Sequence, residues 1–349
     1  MHNALVLTHG MLATSNAKTC HGLLRGSERF RPLAVIDYAF AGQDAGAVLD
    51  GKRRGVPVVA SVAEYFADPA HPRPDCCVIG VALPGGALPA DFREQLKMAI
   101  EYGLDIVNGL HTFLSDDEEF AALAATHRVT LTDVRKPRSR SELQFWSGDI
   151  YSVTAPIVAV LGTDCALGKR TTTRWLMEAF REAGHRAEMI YTGQTGWMQG
   201  SPYGFIFDST VNDFIGGEME KAIVHCFREA RPDVIFLEGQ SSLRNPSGPC
   251  GSEFLLSGNA KGVILQHAPG REHFEGSDVP IGGLDKDLDL IRLYGSEVLA
   301  IALNGEELTT EELEAVQHEL RQETGLPVVR PLEEGVGEIV AAVTAFMQR

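Results

Sequence analysis

No apolar run in the sequence approaches the ~20 residues that a membrane-spanning helix requires, so we expect no membrane association. Basic residues do not outnumber acidic ones either. The formal net charge is −16, which disfavours nucleic acids and anionic membranes as partners because both are bound through basic surfaces. The start of the sequence, MHNALVLTHG, has neither the basic n-region nor the small-residue cleavage site of a signal peptide. We therefore expect a cytoplasmic protein.

Paired cysteines and a dinucleotide fingerprint are missing as well. The six cysteines are scattered without the spacing of a metal site, so none is predicted. Cys76 and Cys77 are predicted core residues because they lie in an apolar run. The first loop, Thr8–Met11, lacks the GxGxxG pattern, which disfavours a nicotinamide dehydrogenase.

What the sequence does contain is a regular alternation of apolar strands and amphipathic helices. With 349 residues, 44% of them hydrophobic and 22% charged, the chain has room for about two domains of ~150 residues each. In residues 1–135 the strands are continuously apolar, which is typical of a parallel sheet covered by helices on both faces. We predict a Rossmann-like α/β domain with helices over 91–102 and 116–126 and strands in ALVLTHG, LAVIDYA, VPVVAS, DCCVIGVAL, DIVNGL and VTLTDV.

A second alternation runs over residues 151–349 and predicts another three-layer α/β domain, of the P-loop NTPase-like class. Its helices are predicted over 213–230, 284–294 and 309–323, with strands in RAEMIYTG, DVIFLEG, GVILQH, VLAIALN and PVV. The segment 136–150 between the two domains is basic, contains proline and has no clear periodicity. It is either a solvated linker or an interdomain segment that contacts anions.

The stretch 156–184, PIVAVLGTDCALGKRTTTRWLMEAFREAG, predicts a phosphate-binding loop. A buried strand leads into a glycine-bounded loop that closes on Gly168 and Lys169, and a long amphipathic helix follows. Five residues, one more than usual, separate Gly162 from Gly168, and Arg170 stands where a Ser or Thr normally holds Mg²⁺. The loop is therefore suited to holding a phosphorylated ligand and less clearly to hydrolysing one. The predicted contacts are Gly162, Thr163, Asp164, Gly168, Lys169, Arg170, Thr171 and Thr172.

Polar side chains follow several predicted strands of the second domain, where ligands of open α/β sheets bind. Glu238 ends a strand beside the predicted loop, where a carboxylate orders a metal or a nucleophile, with a loop anchor as the alternative role. His267 ends another strand and suits general base catalysis, with a turn cap as the alternative. Asn304 could contact a base edge or begin a turn, and Gln194 could line a ligand or belong to a tight turn. Asp213 is a third catalytic candidate, although helix capping is its default role.

Three basic residues near these positions could hold an anionic substrate. Arg244 lies in the turn-rich loop SSLRNPSGPCG, a kind of loop that binds ligands more often than it merely connects. Arg271 follows His267, and Lys136 lies in the basic segment before the second domain. Arginine and lysine side chains donate charge-assisted hydrogen bonds to carboxylates, so these residues are substrate-binding candidates together with Gln194.

Seven longer motifs carry a resemblance to a known family. They are DYAFAGQDAG (37–46), GLHTFLSDD (109–117), DVRKP (133–137), GTDCALGKRTTT (162–173), YTGQTGW (191–197), LEGQSSL (237–243) and QHAPGREHF (266–274). The phosphate loop and the Glu-Gly strand end resemble the dethiobiotin-synthetase branch of P-loop proteins. More closely, and over nearly its whole length, the chain resembles the D-glutamate N-acetyltransferase family, formerly a family of unknown function with a Rossmann-like and a P-loop domain.

The resemblance implies transfer of an acetyl group from acetyl-CoA to the amine of a small acidic amino acid, D-glutamate above all. The phosphates of acetyl-CoA suit the predicted loop, and acyl transfer to an amine needs no metal. The reaction does need a base, for which His267 and Glu238 are the candidates, and donors for the tetrahedral oxyanion. Two alternatives stay open: an ATP-dependent ligase or kinase, with Mg²⁺ held by Thr171, Asp164 and Glu238, and a non-catalytic nucleotide-binding protein. A small-molecule substrate and a homo-oligomer are expected.

Overall fold

The computed structural model describes residues 1–349, except for the side chain of Pro84. The chain forms two compact units. The first consists of Met1–Pro137 together with Gln194–Ser201, and the second of Arg138–Gly193 together with Pro202–Arg349. A short segment from the middle of the sequence is thus part of the first unit, and most of the segment 136–150 is part of the second.

The first unit is a six-stranded parallel sheet with helices, which confirms the Rossmann-like prediction. Its strands are β1 (His2–Leu7), β2 (Phe30–Ile36), β3 (Val58–Val59), β4 (Cys76–Ile79), β5 (Asp105–Asn108) and β6 (Leu131–Asp133). Its helices are α1 (Lys18–Arg25), α2 (Ala45–Asp50), α3 (Val62–Ala67), α4 (Phe92–Glu101), α5 (Glu118–His127) and α7 (Gln194–Gln199). Helix α6 (Lys169–Glu182), which precedes α7 in the sequence, belongs to the second unit. The strand order is β3-β2-β1-β4-β5-β6.

The continuous apolar character of these strands is explained by burial on both faces of the sheet. In β1, Leu5 packs into one hydrophobic cluster and Val6 into the cluster on the other face. Cys77 and Cys76 divide between the same two clusters and are 0% and 4% exposed, which confirms them as core residues. Successive side chains of a strand point to opposite faces, so a strand covered on both sides is apolar at every position.

The second unit contains a seven-stranded parallel sheet, which confirms the predicted second α/β domain. Its strands are β7 (Ile157–Gly162), β8 (Ala187–Tyr191), β9 (Tyr203–Gly204), β10 (Val234–Glu238), β11 (Gly262–His267), β12 (Glu297–Leu303) and β13 (Val328–Val329). Its helices are α6 (Lys169–Glu182), α8 (Asn212–Ala230), α9 (Ser252–Leu255), α10 (Asp285–Leu293), α11 (Thr310–Thr324), α12 (Pro331–Glu334) and α13 (Gly337–Met347). The order β13-β12-β11-β7-β10-β8-β9 places β7, which precedes the phosphate loop, between β11 and β10.

Local capping chemistry explains why the longer helices lie close to their predicted bounds. At the start of α11, the hydroxyl of Thr309 accepts from the N–H of Glu312 at 3.2 Å, and the Glu312 carboxylate accepts from the N–H of Thr309 at 2.8 Å. This reciprocal pair satisfies two N–H groups that the helix itself cannot use. Gly325 follows α11 with a φ of 66°, a conformation that ends helices.

Among the described residues, none of the helices combines the length and the apolar character of a membrane span.

Gln194, for which a tight turn is one of two predicted alternatives, begins helix α7 instead. Its six residues are too few to be stable alone, and contacts within the first unit hold it. The side-chain N–H groups of Gln199 donate to the main-chain oxygens of Gly22 and Gly26, both at 2.9 Å. The guanidinium of Arg29 lies 4.1 Å from the ring centroid of Trp197. Sequence periodicity could not reveal a short helix that depends on such distant partners.

Two buried carboxylates of α8 hold the segment that precedes the second sheet. Glu218, 3% exposed, accepts from the N–H of Gln144 at 2.7 Å and pairs with Arg138. Glu220, 0% exposed, accepts from the N–H groups of Ser147 at 2.7 Å and Ile150 at 3.1 Å. Burial alone would raise the pKa of Glu220, but these hydrogen bonds lower it overall. The segment is therefore fixed on the second unit by charge-assisted hydrogen bonds.

Candidate functional site

The loop between β7 and α6 has the backbone geometry of a phosphate cradle. Gly168, with a φ of 99°, makes the turn into α6, whose first residue is Lys169. Gly162 ends β7, and a Cβ atom at that position would lie 3.1 Å from Cδ of Lys169 and 3.3 Å from the main-chain oxygen of Gln266. Glycine thus lets the lysine side chain fold back across the end of the strand. The N-terminus of α6 points its free N–H groups at the same place, which favours an anion there.

The ammonium of Lys169 lies inside this loop. Its Nζ donates to the main-chain oxygen of Asp164 at 2.5 Å and to that of Ser241 at 2.9 Å, and the side chain is buried. The hydroxyls of the following threonines also face inward: Thr172 donates to Oε1 of Gln266 at 2.7 Å and Thr173 to the main-chain oxygen of Lys169 at 2.7 Å. The positive charge of Lys169 is therefore held in place by main-chain oxygens, and a phosphate oxygen could replace them as the acceptor.

The carboxylate of Asp164 lies in the loop but is fully compensated. It is 0% exposed, and its Oδ1 accepts from the side-chain amide of Asn245 at 2.8 Å. Its Oδ2 accepts from Arg271 at 3.0 Å and from the N–H of Glu275 at 2.6 Å. Arg271 also donates to the main-chain oxygen of Cys165 at 2.8 Å and pairs with Glu306. Asp164 therefore stabilises the loop, and its oxygens are engaged in a way that disfavours their use as metal ligands.

Glu238 ends β10 beside the phosphate loop and is 4% exposed. Its Oε2 accepts from the N–H of Thr192 at 3.1 Å, and its main-chain oxygen accepts from the Thr192 hydroxyl at 2.5 Å. Burial raises the pKa of Glu238, while Arg170, the N–H groups of Thr192 and Gly193, and Lys169 act in the opposite direction. A carboxylate whose pKa is raised is a stronger base than an ordinary one once it is ionised.

His267 ends β11, and its Nδ1 lies 3.1 Å from the hydroxyl of Thr163. Burial, with a smaller effect of Arg244, lowers the pKa of His267 to about 4. The imidazole is therefore neutral near neutral pH, but it is a weak base with one nitrogen already engaged. Of the two strand-end base candidates, Glu238 is the one that is suited to accept a proton from an amine.

Arg244 lies in the loop after β10, and its guanidinium is partly engaged within the protein. Its Nη1 donates to the main-chain oxygen of Ile281 at 2.6 Å, and its Nη2 to Asp287 at 2.6 Å. Its Nε is buried and, among the described residues, has no hydrogen-bond partner. Burial raises the pKa of Asp287, and the bond from Arg244 partly offsets this. A buried N–H without an acceptor is costly, which makes Arg244 a natural contact for a ligand oxygen.

The remaining predicted residues have different surroundings. The side-chain amide of Asn304 donates to the main-chain oxygen of Leu167 at 3.0 Å and accepts from the N–H of Glu306, so it supports the phosphate loop. Asp213 is exposed in the first turn of α8, and Thr171 is partly exposed on α6. Two of the predicted substrate contacts belong to the first unit: Gln194, which is 5% exposed at the start of α7, and Lys136, which bonds to Asp116 at 2.5 Å.

Several residues that shape the site are not among the candidates predicted from the sequence. Asn245 and Gln266 bond to Asp164 and Thr172, and Gln240 donates to the Thr192 hydroxyl at 3.0 Å. One signal was available: Gln266 is a polar residue in the otherwise apolar strand GVILQH. A polar side chain in a strand buried on both faces must have a partner, and here that partner is a phosphate-loop threonine.

Comparison with known proteins adds three findings. Residues 144–340 match the model of the DUF1611 P-loop domain, and residues 38–137 match that of the DUF1611_N Rossmann-like domain, both described as domains of unknown function. Curated relatives from Pseudoalteromonas sp and Tritonibacter scottomollicae are both named D-glutamate N-acetyltransferase. They are 31% and 30% identical over 76% and 77% of this chain and 80% of each relative. The crystal structure of a DUF1611 family protein from Anabaena variabilis covers 99% of this chain and 100% of its own, with a TM-score of 0.88 and 30% identity.

Proposed function

This chain belongs to the DUF1611 family, and we propose that it is an N-acetyltransferase that moves the acetyl group of acetyl-CoA to the amine of D-glutamate. The observation that carries the proposal is the pairing, in the second unit, of a phosphate loop with the buried carboxylate of Glu238 at the end of a neighbouring strand. The loop is suited to binding the phosphates of the acetyl donor, and the carboxylate is suited to removing a proton from the amine of the acceptor.

The phosphate loop fits the donor for three reasons. Its glycines leave room for the backbone and for Lys169 to approach an anion. The one carboxylate inside the loop, that of Asp164, is neutralised by Arg271 and bonded to Asn245, so it does not repel phosphate strongly. Arg170 replaces the usual metal-binding hydroxyl with a cation, which suits binding of phosphates without Mg²⁺. Lys169 would exchange its main-chain acceptors for a phosphate oxygen of CoA.

Glu238 is the proposed base. Its ionised carboxylate accepts a proton from the ammonium of the amino acid, and the free amine attacks the thioester carbon of acetyl-CoA. The carbon–sulfur bond then breaks as the amide forms, and the proton that the former amine nitrogen loses is taken up by the leaving CoA thiolate. Because the raised pKa of Glu238 brings its basicity closer to that of an amine, the carboxylate does more in this step than the neutral but weakly basic His267.

Arg244 is the proposed contact for a carboxylate of the amino acid. Its free Nε–H lacks an acceptor among the described residues, whereas the guanidinium of Arg271 already serves Asp164 and Glu306. A substrate carboxylate at Arg244 would satisfy the buried donor and orient the amine. The roles of Gln194 and Lys136 in binding substrate, of Asn304 in binding the donor and of Asp213 in catalysis stay predictions.

The test is an assay of the purified full-length protein for thiol release from acetyl-CoA, with D-glutamate, L-glutamate and glutarate as alternative acceptors. We expect thiol release with D-glutamate and none above background with glutarate, which has the same carboxylates but no amine. ADP release from ATP and Mg²⁺ is measured in parallel. ADP formation that depends on an amino acid, without thiol release, would refute the proposal and favour the ligase or kinase class.

A further inference from the structure

The first unit has a topological switch point that the proposed chemistry does not use. In the order β3-β2-β1-β4-β5-β6, the chain moves outward from β1 to β3 and then returns to the other side of β1 with β4. The loops after β1 and β4 therefore run in opposite directions and leave a crevice at the carboxyl ends of these strands, where ligands of such sheets bind. His9 follows β1, and Asp91 immediately precedes α4, which begins at Phe92 after β4.

The usual occupant of this position, a dinucleotide, does not fit. The carboxylate that such sheets use for the ribose lies at the end of the second strand, where this chain has Asp37. Asp37 is 0% exposed and is used inside the protein: it accepts from the Thr8 hydroxyl at 2.7 Å and from the N–H groups of Gly10 at 2.8 Å and Leu12 at 3.0 Å. It holds the β1 loop in place and is not free to bind a sugar.

His9 instead presents an unsatisfied nitrogen in this crevice. Its φ of 46° is unusual for a residue other than glycine. Its ring lies edge-on to Tyr38 and Phe92, with centroid distances of 5.1 and 5.4 Å, and its Nε2 is 3.6 Å from the Asp91 carboxylate. Its Nδ1 is buried and has no hydrogen-bond partner among the residues that the structure describes. A neutral imidazole whose Nε2–H faces a carboxylate presents a lone pair at Nδ1.

His71 of the same unit shows what a satisfied histidine looks like. Its ring contacts one aromatic residue, stacking on Tyr65 at a centroid distance of 4.6 Å, and its Nε2 also faces an aspartate, Asp68, at 3.8 Å. Its Nδ1, however, bonds to the main-chain oxygen of Tyr65 at 2.8 Å. The ring nitrogens therefore differ at Nδ1, which has a partner in His71 and, among the described residues, none in His9. An orphaned buried nitrogen requires an explanation, and a ligand that donates a hydrogen bond supplies one.

We propose that the crevice between the β1 and β4 loops of the first unit binds the primary ammonium group of a small, otherwise apolar organic molecule. The ammonium donates to Nδ1 of His9, and the Asp91 carboxylate, which is 58% exposed, supplies the opposite charge. Tyr38, which is 59% exposed, offers an aromatic ring for a cation and for the apolar part of the ligand. This site is separate from the acetyl transfer proposed above and does not depend on it.

The test uses full-length protein without acetyl-CoA and three probes of similar size: n-butylammonium, n-butanol and butyrate. Histidine ring signals are followed by NMR at constant pH, with the His9 signals assigned through His9→Asn, because Asn tolerates a positive φ. We expect butylammonium to shift the His9 signals saturably, and butanol and butyrate to bind at least roughly tenfold more weakly, about 1.4 kcal/mol. The His71 signals serve as the internal control and should not move.

Two further variants keep the proposal testable if His9→Asn does not fold. Asp91→Asn and Tyr38→Leu should each weaken butylammonium binding severalfold, and Asp68→Asn, the matched change beside His71, should not. The proposal is overturned if the His9 signals respond equally to all three probes, respond best to butyrate, or do not respond at all. It is also overturned if Asp91→Asn leaves butylammonium binding unchanged.

Discussion

The ammonium nitrogen of Lys169 lies 2.9 Å from the main-chain oxygen of Ser241, a residue whose φ of 36° lies in the left-handed region. A serine adopts this conformation only when its surroundings hold it there. The lysine that is predicted to bind phosphate is thus also one of the groups that holds the start of the loop carrying Arg244. A phosphate that attracts Lys169 acts on this loop at the same time.

Replacement of Lys169 by alanine should weaken CoA binding. The lost contact is a charge-assisted hydrogen bond to phosphate, of about 1.5–3 kcal/mol, which corresponds to roughly a 10- to 150-fold increase in Kd. Isothermal titration calorimetry with CoA measures the change, and Lys261→Ala, an exposed lysine of the same unit, is the matched control. If Lys169→Ala bound both CoA and ATP with unchanged affinity, the loop would not be the phosphate site.

Activity should survive removal of divalent metals. Arg170 stands at the usual metal-binding position, and both oxygens of Asp164 already accept hydrogen bonds within the loop. We expect the rate of thiol release from acetyl-CoA to be the same in EDTA and in Mg²⁺. An EDTA-treated protein that is inactive and regains activity only with Mg²⁺ would favour the ligase or kinase class instead.

Glu238→Gln should lower kcat by about 10²- to 10⁴-fold, the usual contribution of a general base, while the KM for acetyl-CoA changes little. In the wild type, kcat/KM should begin to fall on acidification at a pH above the ordinary pKa of a glutamate, because burial raises the pKa of Glu238. Because the pKa of His267 is about 4, its titration should cause no further change in kcat/KM between pH 5 and 8. A Glu238→Gln variant with wild-type kcat would exclude Glu238 as the base.

The same carboxyl group should leave a signature in stability. Between the ordinary pKa of a glutamate and the raised pKa of Glu238, the folded protein keeps a proton that the unfolded chain has lost. The contribution of Glu238 to the free energy of unfolding therefore decreases as the pH rises through that window. Denaturant unfolding of wild type and Glu238→Gln at several pH values should show the smaller decrease in the variant. Parallel profiles would mean that the pKa of Glu238 is not raised.

Arg244→Lys should raise the KM for D-glutamate more than the KM for acetyl-CoA. Lysine keeps a positive charge beside the buried Asp287 but has no equivalent of the Nε–H, which has no partner in the described part of the chain. Arg244→Ala is a poorer test, because a buried carboxylate that loses its partner costs about 3–5 kcal/mol of stability. Thermal unfolding checks that Arg244→Lys is folded. An equal increase in both KM values would argue against a contact specific to the amino acid.

The sequence predicted those parts of the molecule whose causes are local. The strand over 262–267 and the phosphate loop follow from hydrophobic runs, glycine positions and the residues that adjoin them, and the structure has both in the expected place. The compensation of Asp164 could not be predicted, because Asn245 and Arg271 lie 81 and 107 residues away in the sequence. The relative basicity of Glu238 and His267 could not be predicted either. Both residues end a strand, and their pKa values depend on burial and on charges that are distant in the sequence.

The anchoring of residues 138–150 on Glu218 and Glu220 sets the boundary at which the second unit could be produced as a fragment. A fragment that began at the first strand of its sheet, Ile157, would leave both carboxylates buried without the main-chain donors that they have in the intact chain. Such a fragment should be poorly soluble, whereas one that begins at Arg138 keeps those donors. A fragment of the first unit that ends at Pro137 lacks α7. The surfaces that contact Trp197 and Gln199 in the intact chain would then be open to solvent.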